Sequence, residues 1–598
     1  MIDEKAKAIS VRFKIILSTL LLCLLIVFAG LIHYSRKIEP LVAARLKEAI
    51  LTATDGLYTI SFSDIHLNPF TGTVHLDNIR FVASDKVYQQ MRSKGIHPTH
   101  LYSVAVKRLS LKRIHPFKVY FERNLEVKTL HIDNPVIRVI YQNPRDDSNE
   151  PEDKRTAWQR LSRYLKSIKI QQIMLDNVDF QYNDRSLGKP EIDGVKNLSI
   201  RIDDLLIDSL SQYEKSRFYF TREVFVQIRK HEFLSRDKMY RVLFDDLQIS
   251  SSKKYAQVKG LQVIPRYPDL EFSKHLPARK AMYNLVIYQA LLGNIDIKRL
   301  IDKRQLRASS LRLLKADMKI FLDKRKEAPK KFDRGINFPQ LALKRIRLNT
   351  LIDTVNIESS SLHYHEYSPV TARTGKIFFN DINGKFSNFT NDTITIVKNK
   401  WLNGSFSAML FGKSRLDFAI NFDLRSPFSE YKYSGQLSEM NARNFNQLSR
   451  PLALLRINAG RIMNAKFHVR GDYRKSSGRL TMAYENLSIG LLKIDSQKVL
   501  RKQMLKSIVA NNLLIKEDNP TKGESLRLGN ISYYRPDSVT FLGTMWQSLY
   551  SGLRETIGLT PERERNLKQQ FQNNSEVNPY RDKRRESRKE RRRKNLEK

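Results

Sequence analysis

The six residues LDNVDF, at positions 175–180, carry the pattern that decides how this chain folds. Before the Asp-Asn pair the apolar residues fall at odd positions, and after it they fall at even positions. Side chains of a β-strand point to alternate faces, so one extra residue would send the rest of the strand to the wrong face. A β-bulge or a tight two-residue turn restores the original face, and Asp and Asn tolerate the left-handed backbone that such sites often need. The pair therefore predicts a strand that keeps one continuous apolar face.

The same change of phase recurs along the chain. It is found at the pairs 77–78, 133–134, 380–381, 485–486 and 529–530. A catalytic or metal-binding carboxylate at Asp176 would need a partner, and no His or Glu recurs at a constant distance from these pairs. We therefore interpret the pairs as structural devices, and we expect no enzymatic activity and no cofactor.

Most of the chain after Asp55 alternates apolar and polar residues in short runs rich in Ile, Val, Phe and Tyr, which predicts β-strands. Two stretches match in plan at a spacing near 182 residues, VDFQYND at 178–184 and SSLHYHE at 360–366. A short helix is predicted before each of them, at 157–165 and 339–346. The expected fold is mainly β: an elongated, twisted antiparallel sheet with two internal repeats that stack along an axis, and a few short helices.

The apolar face of such a sheet needs a cover. In a compact sandwich a second sheet covers it, whereas a curled sheet would leave an apolar groove for something other than protein. Few long helical patterns are present to cover the strands, and the groove is the alternative that this favours. Its lining is expected to include Ile173, Leu175, Val178, Phe180, Tyr182, Leu480, Met482, Leu487 and Ile489.

The composition is strongly basic. Lys and Arg together number 105 against 62 acidic residues, which gives a formal net charge of +43. This balance predicts attraction to polyanions such as anionic lipid, lipopolysaccharide or nucleic acid. No nucleic-acid recognition module is evident, so nucleic acid is not the expected partner. The single cysteine, Cys23, excludes an internal disulfide and a cysteine-based zinc site.

Residues 15–32, IILSTLLLCLLIVFAGLI, contain no charge and are nearly long enough to cross a hydrocarbon core of about 30 Å. A cleaved signal peptide is the alternative, because Val27-Phe28-Ala29 fits a small-residue cleavage pattern. The apolar run continues past that point, which favours a retained transmembrane anchor. Basic residues flank the run on both sides, so charge does not fix its orientation.

Two further segments lie near the C-terminus. Residues 539–559 predict an amphipathic helix that could lie at a membrane interface, dock a partner or cap the end of the sheet. Its expected apolar residues are Phe541, Met545, Trp546, Leu549, Leu553 and Ile557. The tail from Arg581 is basic without apolar periodicity, and we interpret it as disordered or as a solvated helix. Its candidate contacts with anionic head groups are Arg584, Arg585, Arg588, Arg591, Arg592 and Arg593.

The best metal-binding candidate is the stretch His363-Tyr364-His365-Glu366. On a strand, His363 and His365 would share one face, which suits two imidazole ligands. No third ligand is evident, and we interpret the stretch as part of a polar outer face. No glycine-rich phosphate loop, GxSxG motif or HExxH motif is present.

Three blocks together resemble the AsmA family of bacterial envelope proteins, within the broad AsmA-like group that includes TamB and YhdP. They are the helix IEPLVAARLKEAIL at 38–51, the strand pair YTISFSDIHLNPFTGTVHLDNIRF at 58–81, and FHVRGDYRKSSGRLTMAYENLSIGLL at 467–492. The resemblance covers most of residues 12–559 and rests on patterns of strands and turns. It implies a repeating-β-groove protein that is anchored in the inner membrane of a Gram-negative bacterium by a single span, with its body in the periplasm.

The resemblance also implies a function: binding or conducting phospholipids along a hydrophobic groove, in outer-membrane lipid homeostasis. The alternative is a non-enzymatic assembly factor or scaffold that contacts outer-membrane or other envelope assembly proteins. The expected organisation is a short N-terminal segment (1–14), a transmembrane anchor (15–34), a first repeat with an N-terminal helix (35–210), a second repeat (211–400), an AsmA-like C-terminal β domain (401–538), an amphipathic helix (539–560) and a basic tail (561–598).

Overall fold

A computed structural model describes the chain between residues 44 and 558. Within this range it leaves out 45–46, 49, 53, 69–70, 96, 99, 115–117, 142–157, 160–161, 163–164, 186–190, 328–337, 495–499, 503–514 and 538. The described part is mainly β, with mostly antiparallel pairing and a few helices. It divides into two compact units, the first made of residues 1–264, 286–314 and 348–353, and the second of 265–285, 315–347 and 354–598.

The strands follow one another along most of the chain. Those within the first unit are β1 (Tyr58–Ser61), β2 (Asp64–Asn68), β3 (Thr73–Ala83), β4 (His100–Ile114), β5 (Asn124–Asp133), β6 (Val136–Tyr141), β7 (Ser167–Asp184), β8 (Glu191–Ile207), β9 (Glu223–Leu234), β10 (Tyr240–Ser250) and β11 (Tyr255–Pro265, its last residue assigned to the second unit). Three strands contribute residues to both units: β12 (Met282–Gly293), β13 (Gln305–Asp323) and β14 (Asn349–Ser368). The second unit continues with β15 (Arg373–Thr390), β16 (Trp401–Leu410), β17 (Ser414–Asp423), β18 (Tyr431–Leu437), β19 (Met440–Asn441), β20 (Leu455–Gly471), β21 (Lys475–Ile494), β22 (Leu500–Lys502) and β23 (Leu528–Tyr534).

The helices are short except for the last one. They are α1 (Asp85–Ser93), α2 (Asp269–Lys274), α3 (Ile297–Lys303), α4 (Pro339–Lys344), α5 (Thr393–Lys398), α6 (Asn446–Ala453) and α7 (Phe541–Thr556), with 3₁₀ turns at Ser211–Tyr213 and Ala442–Phe445 and a π-helical turn at Lys118–Glu122. Side-chain caps begin several of them: Ser84, Asp296, Asp392 and Thr540 each accept a hydrogen bond from the backbone N–H three residues later. Among the described residues no helix is long and apolar enough to span a bilayer. The predicted anchor at 15–34 and the basic tail at 561–598 lie outside the described residues.

Left-handed residues lie at the predicted Asp-Asn pairs. Asn78, Asn134, Asn177 and Asn486 have φ angles of 53°, 48°, 55° and 54°, and Asp381 has 49°. The ladder between β7 and β8 shifts register between Leu175 and Val178, and the ladder between β15 and β16 shifts between Asn380 and Asn383. Buried side chains change phase at the pair as predicted, for example from Leu76 to Ile79 in β3. The structural interpretation of these pairs is confirmed.

The kinks of the first unit stand side by side across the sheet. Asp77 pairs with Arg108, Arg108 with Asp133, and Asp133 with Asp176. The line continues in β8 and β9, where Asn197 and Lys230 are left-handed with φ of 56° and 48°. Because neighbouring strands change phase at about the same level, the ladders from β3 to β7 keep their register there, while the β7–β8 ladder shifts at Val178 and regains its register at Phe180. The sequence shows each phase change separately. In the structure they form one line across β3, β4, β5, β7, β8 and β9, which we call the crease.

The spacing of 182 residues recurs in backbone conformation. Ser359 in β14 is left-handed, with φ of 48°, and it lies 182 positions after Asn177. The sequence of buried and exposed positions in β7 repeats at this spacing in β14, with buried Thr350, Ile352, Val355 and Ser360 at the places of Ile168, Ile170, Ile173 and Val178. Helix α4 begins at the predicted position, and of the other predicted helix the described residues Trp158 and Gln159 are helical. These correspondences support an internal repeat.

Two expectations are corrected. Gly529-Asn530 is not a phase change: β23 pairs with β21 without a shift, and Leu528 remains 44% exposed. The inward position is occupied by Gly529 itself, because the backbone of Gly552 in α7 lies too close for any side chain there. The pairing is also not antiparallel throughout, because β7 runs parallel to β5 and β6, which requires a crossover connection.

Each unit has its own apolar core. In the first unit the apolar faces of β1–β8 pack against Ile50, against Tyr88 of α1 and against Trp158. In the second unit two clusters form, and they include Phe338 at the start of α4 and Phe541 of α7. Helical side chains therefore cover the apolar faces at these places.

Candidate functional site

Strands β9, β10 and β11 present an apolar face that differs from the covered faces of the cores. The residues on it are Val224, Val226, Ile228, Phe233, Val242, Phe244, Leu247, Ile249, Ala256, Val258, Leu261 and Val263. Cross-strand pairing puts the members of β9 and β10 next to one another, with Ile228 opposite Leu247 and Phe233 opposite Val242. We call this set the open apolar face.

Solvent reaches the open apolar face. No apolar side chain in the described part of residues 208–265 is buried, although the stretch contains three well-formed strands. Phe233 is 48% exposed, and the other members of the face are half-buried. In β7, by contrast, the apolar residues Ile168, Ile170, Ile173 and Val178 are fully buried, Val178 with 1% exposure. Exposed apolar surface of this extent marks a binding surface in soluble proteins.

The opposite face of the same strands is mostly polar. Asp246 accepts hydrogen bonds from the amides of Gln227 and Gln248, both at 2.7 Å. Arg241 and Glu232 form an ion pair at 2.8 Å between nitrogen and oxygen. Leu234, which is 47% exposed, also lies on this face, but the face has fewer apolar residues than the open apolar face. The two sides of the sheet therefore differ in what they can bind.

The phase changes maintain the open apolar face as they do the covered ones. In β9 the apolar set passes from Ile228 to Phe233 across the left-handed Lys230. In β11 it passes from Val258 to Leu261 across Gly260, which has φ of 64° and stands close to the Asp245 carboxylate of β10. Three adjacent strands, with seven residue steps from Val242 to Ile249, give an area of roughly 23 by 10 Å. One lipid leaflet contributes about half of a hydrocarbon core of roughly 30 Å, so an acyl chain would fit within this length.

The lining residues predicted from sequence lie in two separate places. In the first unit Ile173 and Val178 are buried, while Leu175, Phe180 and Tyr182 pack against the core. Burial raises the pKa of the Tyr182 hydroxyl to about 12, so this side chain is neutral at physiological pH. In the second unit Leu480, Met482 and Leu487 are buried and Ile489 packs against them. The structure brings together each set within its unit, and protein side chains cover the buried members.

Helix α7 covers the apolar face of the second unit. Phe541 and Ile557 are buried, and Met545, Leu549 and Leu553 pack against the cores. The deepest residues of the helix are small ones, namely Thr544, Ser548, Gly552 and Thr556. Tyr433 and Tyr484 donate hydrogen bonds from their hydroxyls to the carbonyls of Met545 and Thr556, at 3.3 and 3.2 Å. Of the three roles open to this helix, the packing fits that of a cap on the chain's own sheet.

One side of α7 remains partly free. Trp546 is half-buried and stacks on Tyr550 with 6.4 Å between ring centroids, and Leu542 is exposed. Of the six residues predicted for a membrane interface, Trp546 is therefore the one that points away from the cores.

The histidine-rich stretch does not assemble into a metal site. His363 lies 3.7 Å from Asp317 and 6.5 Å, between ring centroids, from His365. Within the described residues no group of three or more His, Cys, Asp or Glu side chains could hold a metal ion. Burial, together with Lys319 and Lys376, lowers the pKa of His365 to about 4.

Asp176 does have a histidine partner, which sequence reasoning missed because the two lie on different strands. His131 Nε2 stands 2.8 Å from Asp176 Oδ2 on the outer face. A second pair joins His75 Nδ1 and Ser110 Oγ at 2.8 Å. A serine-histidine-carboxylate triad needs one histidine between the other two groups, whereas here the serine and the aspartate contact different histidines. The arrangement thus provides polar cross-strand contacts on the outer face.

The open apolar face was also not among the predicted lining residues. The signal was present in the sequence, because β9–β11 alternate as β7 does and change phase at Lys230 and Gly260. Alternation does not reveal which apolar faces are covered.

A comparison with protein-family models finds no matching family, and a comparison with curated proteins finds no significant match.

Proposed function

We propose that this protein binds the acyl chains of phospholipids on the open apolar face of β9–β11, as a membrane-anchored protein of the cell envelope. The observation that carries the proposal is the absence of any buried apolar side chain in the described part of residues 208–265. The anchor at 15–34, its place in the inner membrane and a periplasmic body rest on sequence and resemblance.

Hydrophobic transfer supplies the driving force. Each CH₂ group that leaves water for an apolar surface contributes roughly 0.8 kcal/mol, so an acyl chain along the face replaces water on both partners. The opposite face, with its Gln227–Asp246 hydrogen bond and Arg241–Glu232 ion pair, gives a smaller gain because fewer of its side chains are apolar. Lipid binding would therefore favour one side of the sheet.

Net charge favours anionic lipids among the possible ligands. The chain carries a formal charge of +43, and basic residues near an anionic surface contribute about 1 kcal/mol each at low ionic strength. The charge would raise the local concentration of anionic head groups, while the apolar face would hold the chains. His231 also lies on this face, opposite Phe244, while the other side chains named for it are hydrocarbon. The role proposed is binding or transfer.

A photocrosslinking experiment tests the proposal on the full-length protein in membranes. A benzophenone amino acid is placed at Ile228 or Leu247 on the open apolar face, and in matched controls at the neighbouring Gln227 or Gln248 on the polar face. After irradiation, the protein is purified and bound lipid is identified by mass spectrometry. We expect lipid adducts at Ile228 and Leu247, several times more abundant than at the two glutamines.

Equal amounts of lipid adduct at Ile228 and Leu247 and at the control positions Gln227 and Gln248 would refute the proposal. Crosslinks from Ile228 and Leu247 to envelope proteins, without lipid adducts, would instead favour the assembly scaffold.

A further inference from the structure

The outer face of the second unit contains a depression with a volume of about 750 Å³. It extends over β14–β18 and β20, on the side opposite the cores that α7 covers. Its central row consists of residues paired directly across strands: Lys385, Ser405, Ala419, Ser434 and His468. Small side chains form the middle of this row, and Lys385 and His468 stand at its two ends, about 19 Å apart across four strand spacings.

A second row two residues along the strands contains amide, hydroxyl and carboxylate groups, with a lysine at one end. It runs through Asn383, Ser407, Asp417, Gln436 and Lys466, again paired strand to strand. Hydroxyl and amide side chains can each donate and accept hydrogen bonds. The floor therefore offers many neutral hydrogen-bonding groups of the kind that match the hydroxyls of a sugar.

The depression is lined by the basic residues Lys385, Arg415 and Lys466 and by the acidic residues Glu358 and Asp417. Asp417 is engaged by Arg415, with 2.8 Å between Nη2 and Oδ1. In the described part of the chain no ion pair involves Lys385 or Lys466, and none involves the neighbouring outward residue Arg470. Two or more cations without a partner around a concave polar floor favour an anionic ligand.

The edge of the same face provides an aromatic ring. Trp401 lies under the ammonium groups of Lys400 and Lys432, at 4.9 and 5.3 Å from the ring centroid. Lys432 stands on the row next to the floor, opposite Arg470. An aromatic plane beside hydrogen-bonding groups and cations suits a sugar ring that bears a charged group.

We propose that this depression is a binding site for an anionic oligosaccharide, a sugar chain bearing phosphate, sulfate or carboxylate groups. A lipid surface is the less suitable partner, because a flat membrane cannot enter a concave polar floor. The site is separate from the acyl-chain face, and it holds whether or not that face binds lipid.

The test measures binding to the full-length protein in detergent by isothermal titration calorimetry. The probe is a sulfated octasaccharide derived from heparin, with neutral maltooctaose and inorganic phosphate as comparison ligands. We expect the sulfated chain to bind most tightly, and Lys466→Gln to weaken it about fivefold, which corresponds to the roughly 1 kcal/mol of one cation near an anionic partner. Lys413→Gln is the matched control, because Lys413 is exposed on the turn between β16 and β17, outside the depression, and its loss should change affinity less than twofold.

A second variant separates the depression from the basic tail and from net charge. Ser434→Trp fills the floor without changing charge, and we expect at least a tenfold loss of octasaccharide binding, with unchanged binding to vesicles of phosphatidylglycerol. Equal losses for Lys466→Gln and Lys413→Gln would overturn the proposal, as would retention of affinity in Ser434→Trp. Loss of vesicle binding alone would also overturn it, since that would make a lipid surface the ligand.

Discussion

The crease across the first unit predicts the effect of changing Asn177. Its side chain is exposed, so a substitution there alters the backbone preference with little change in packing. The residue has φ of 55°, in the left-handed region that Asn tolerates and a β-branched residue does not. Asn177→Val should therefore destabilise β7 locally, while Asn177→Gly should be close to neutral.

The size of the destabilisation follows from the left-handed backbone conformation of residue 177. A left-handed residue other than glycine costs roughly 1–2 kcal/mol, and Asn offsets part of this cost by local hydrogen bonding. Asn177→Val should therefore lower the free energy of local opening by about 1–2 kcal/mol, which raises the open population five- to thirtyfold. Deleting Asn177 should have a larger effect, because Val178 is 1% exposed and would move to the polar face. Exposing one such side chain costs about 1.5–3 kcal/mol.

Hydrogen exchange read out by mass spectrometry measures local opening in β7 and β8 of the full-length protein. Gln171→Val is the matched control, since Gln171 is also exposed on β7 but has no left-handed backbone. Exchange in the peptides around residues 170–182 should accelerate five- to thirtyfold in Asn177→Val and change little in Gln171→Val or Asn177→Gly. Equal acceleration in the two valine variants would refute the explanation by backbone conformation.

Two other predictions concern the second unit. Gly529→Ala should loosen α7 by roughly 1–3 kcal/mol, because a methyl group there would meet the backbone of Gly552, and faster exchange in residues 541–556 would show it; unchanged exchange would contradict the close contact. His365→Phe should make the stability of this unit less sensitive to acid. The pKa of His365 in the folded protein is lowered to about 4, so between pH 6.5 and about 4 the unfolded chain binds a proton that the folded chain does not. The free energy of unfolding therefore falls as the pH falls through this range in the wild type. Lys319, Lys376, Asp269 and His363 are the charged or titratable groups that act on this imidazole. Thermal midpoints across this pH range check the difference, and identical profiles for wild type and variant would contradict it.

Local patterns in the sequence were sufficient for the kinks. The change of phase at Asp176-Asn177 identified a left-handed residue within a strand, because side-chain alternation is a property of the strand itself. The same rule gave a wrong result at Gly529-Asn530. There the deciding fact is a helix backbone from a distant part of the chain, and no pattern within the strand contains that information.

In the candidate site, too, local sequence patterns predict which residues share a face, but only the fold decides which faces are covered. Alternation in β7 and in β10 is equivalent, yet Val178 is covered and Leu247 is not. Tyr88 and Trp158 belong to the same core cluster as the apolar residues of β7, and Tyr88 lies far from that strand in the sequence. Of the nine lining residues predicted from sequence, five are buried and four are half-buried, and the face of β9–β11 was not among them.

By itself, the sequence determined that the chain forms strands with one apolar and one polar face, and that particular residues preserve those faces across bends. These properties depend on the backbone geometry of a few neighbouring residues. Only the tertiary structure decided that the kinks line up as a crease, that α7 covers one apolar face, and that the face of β9–β11 stays open. The reason is that coverage is a relation between segments far apart in the chain, and burial depends on which of them meet.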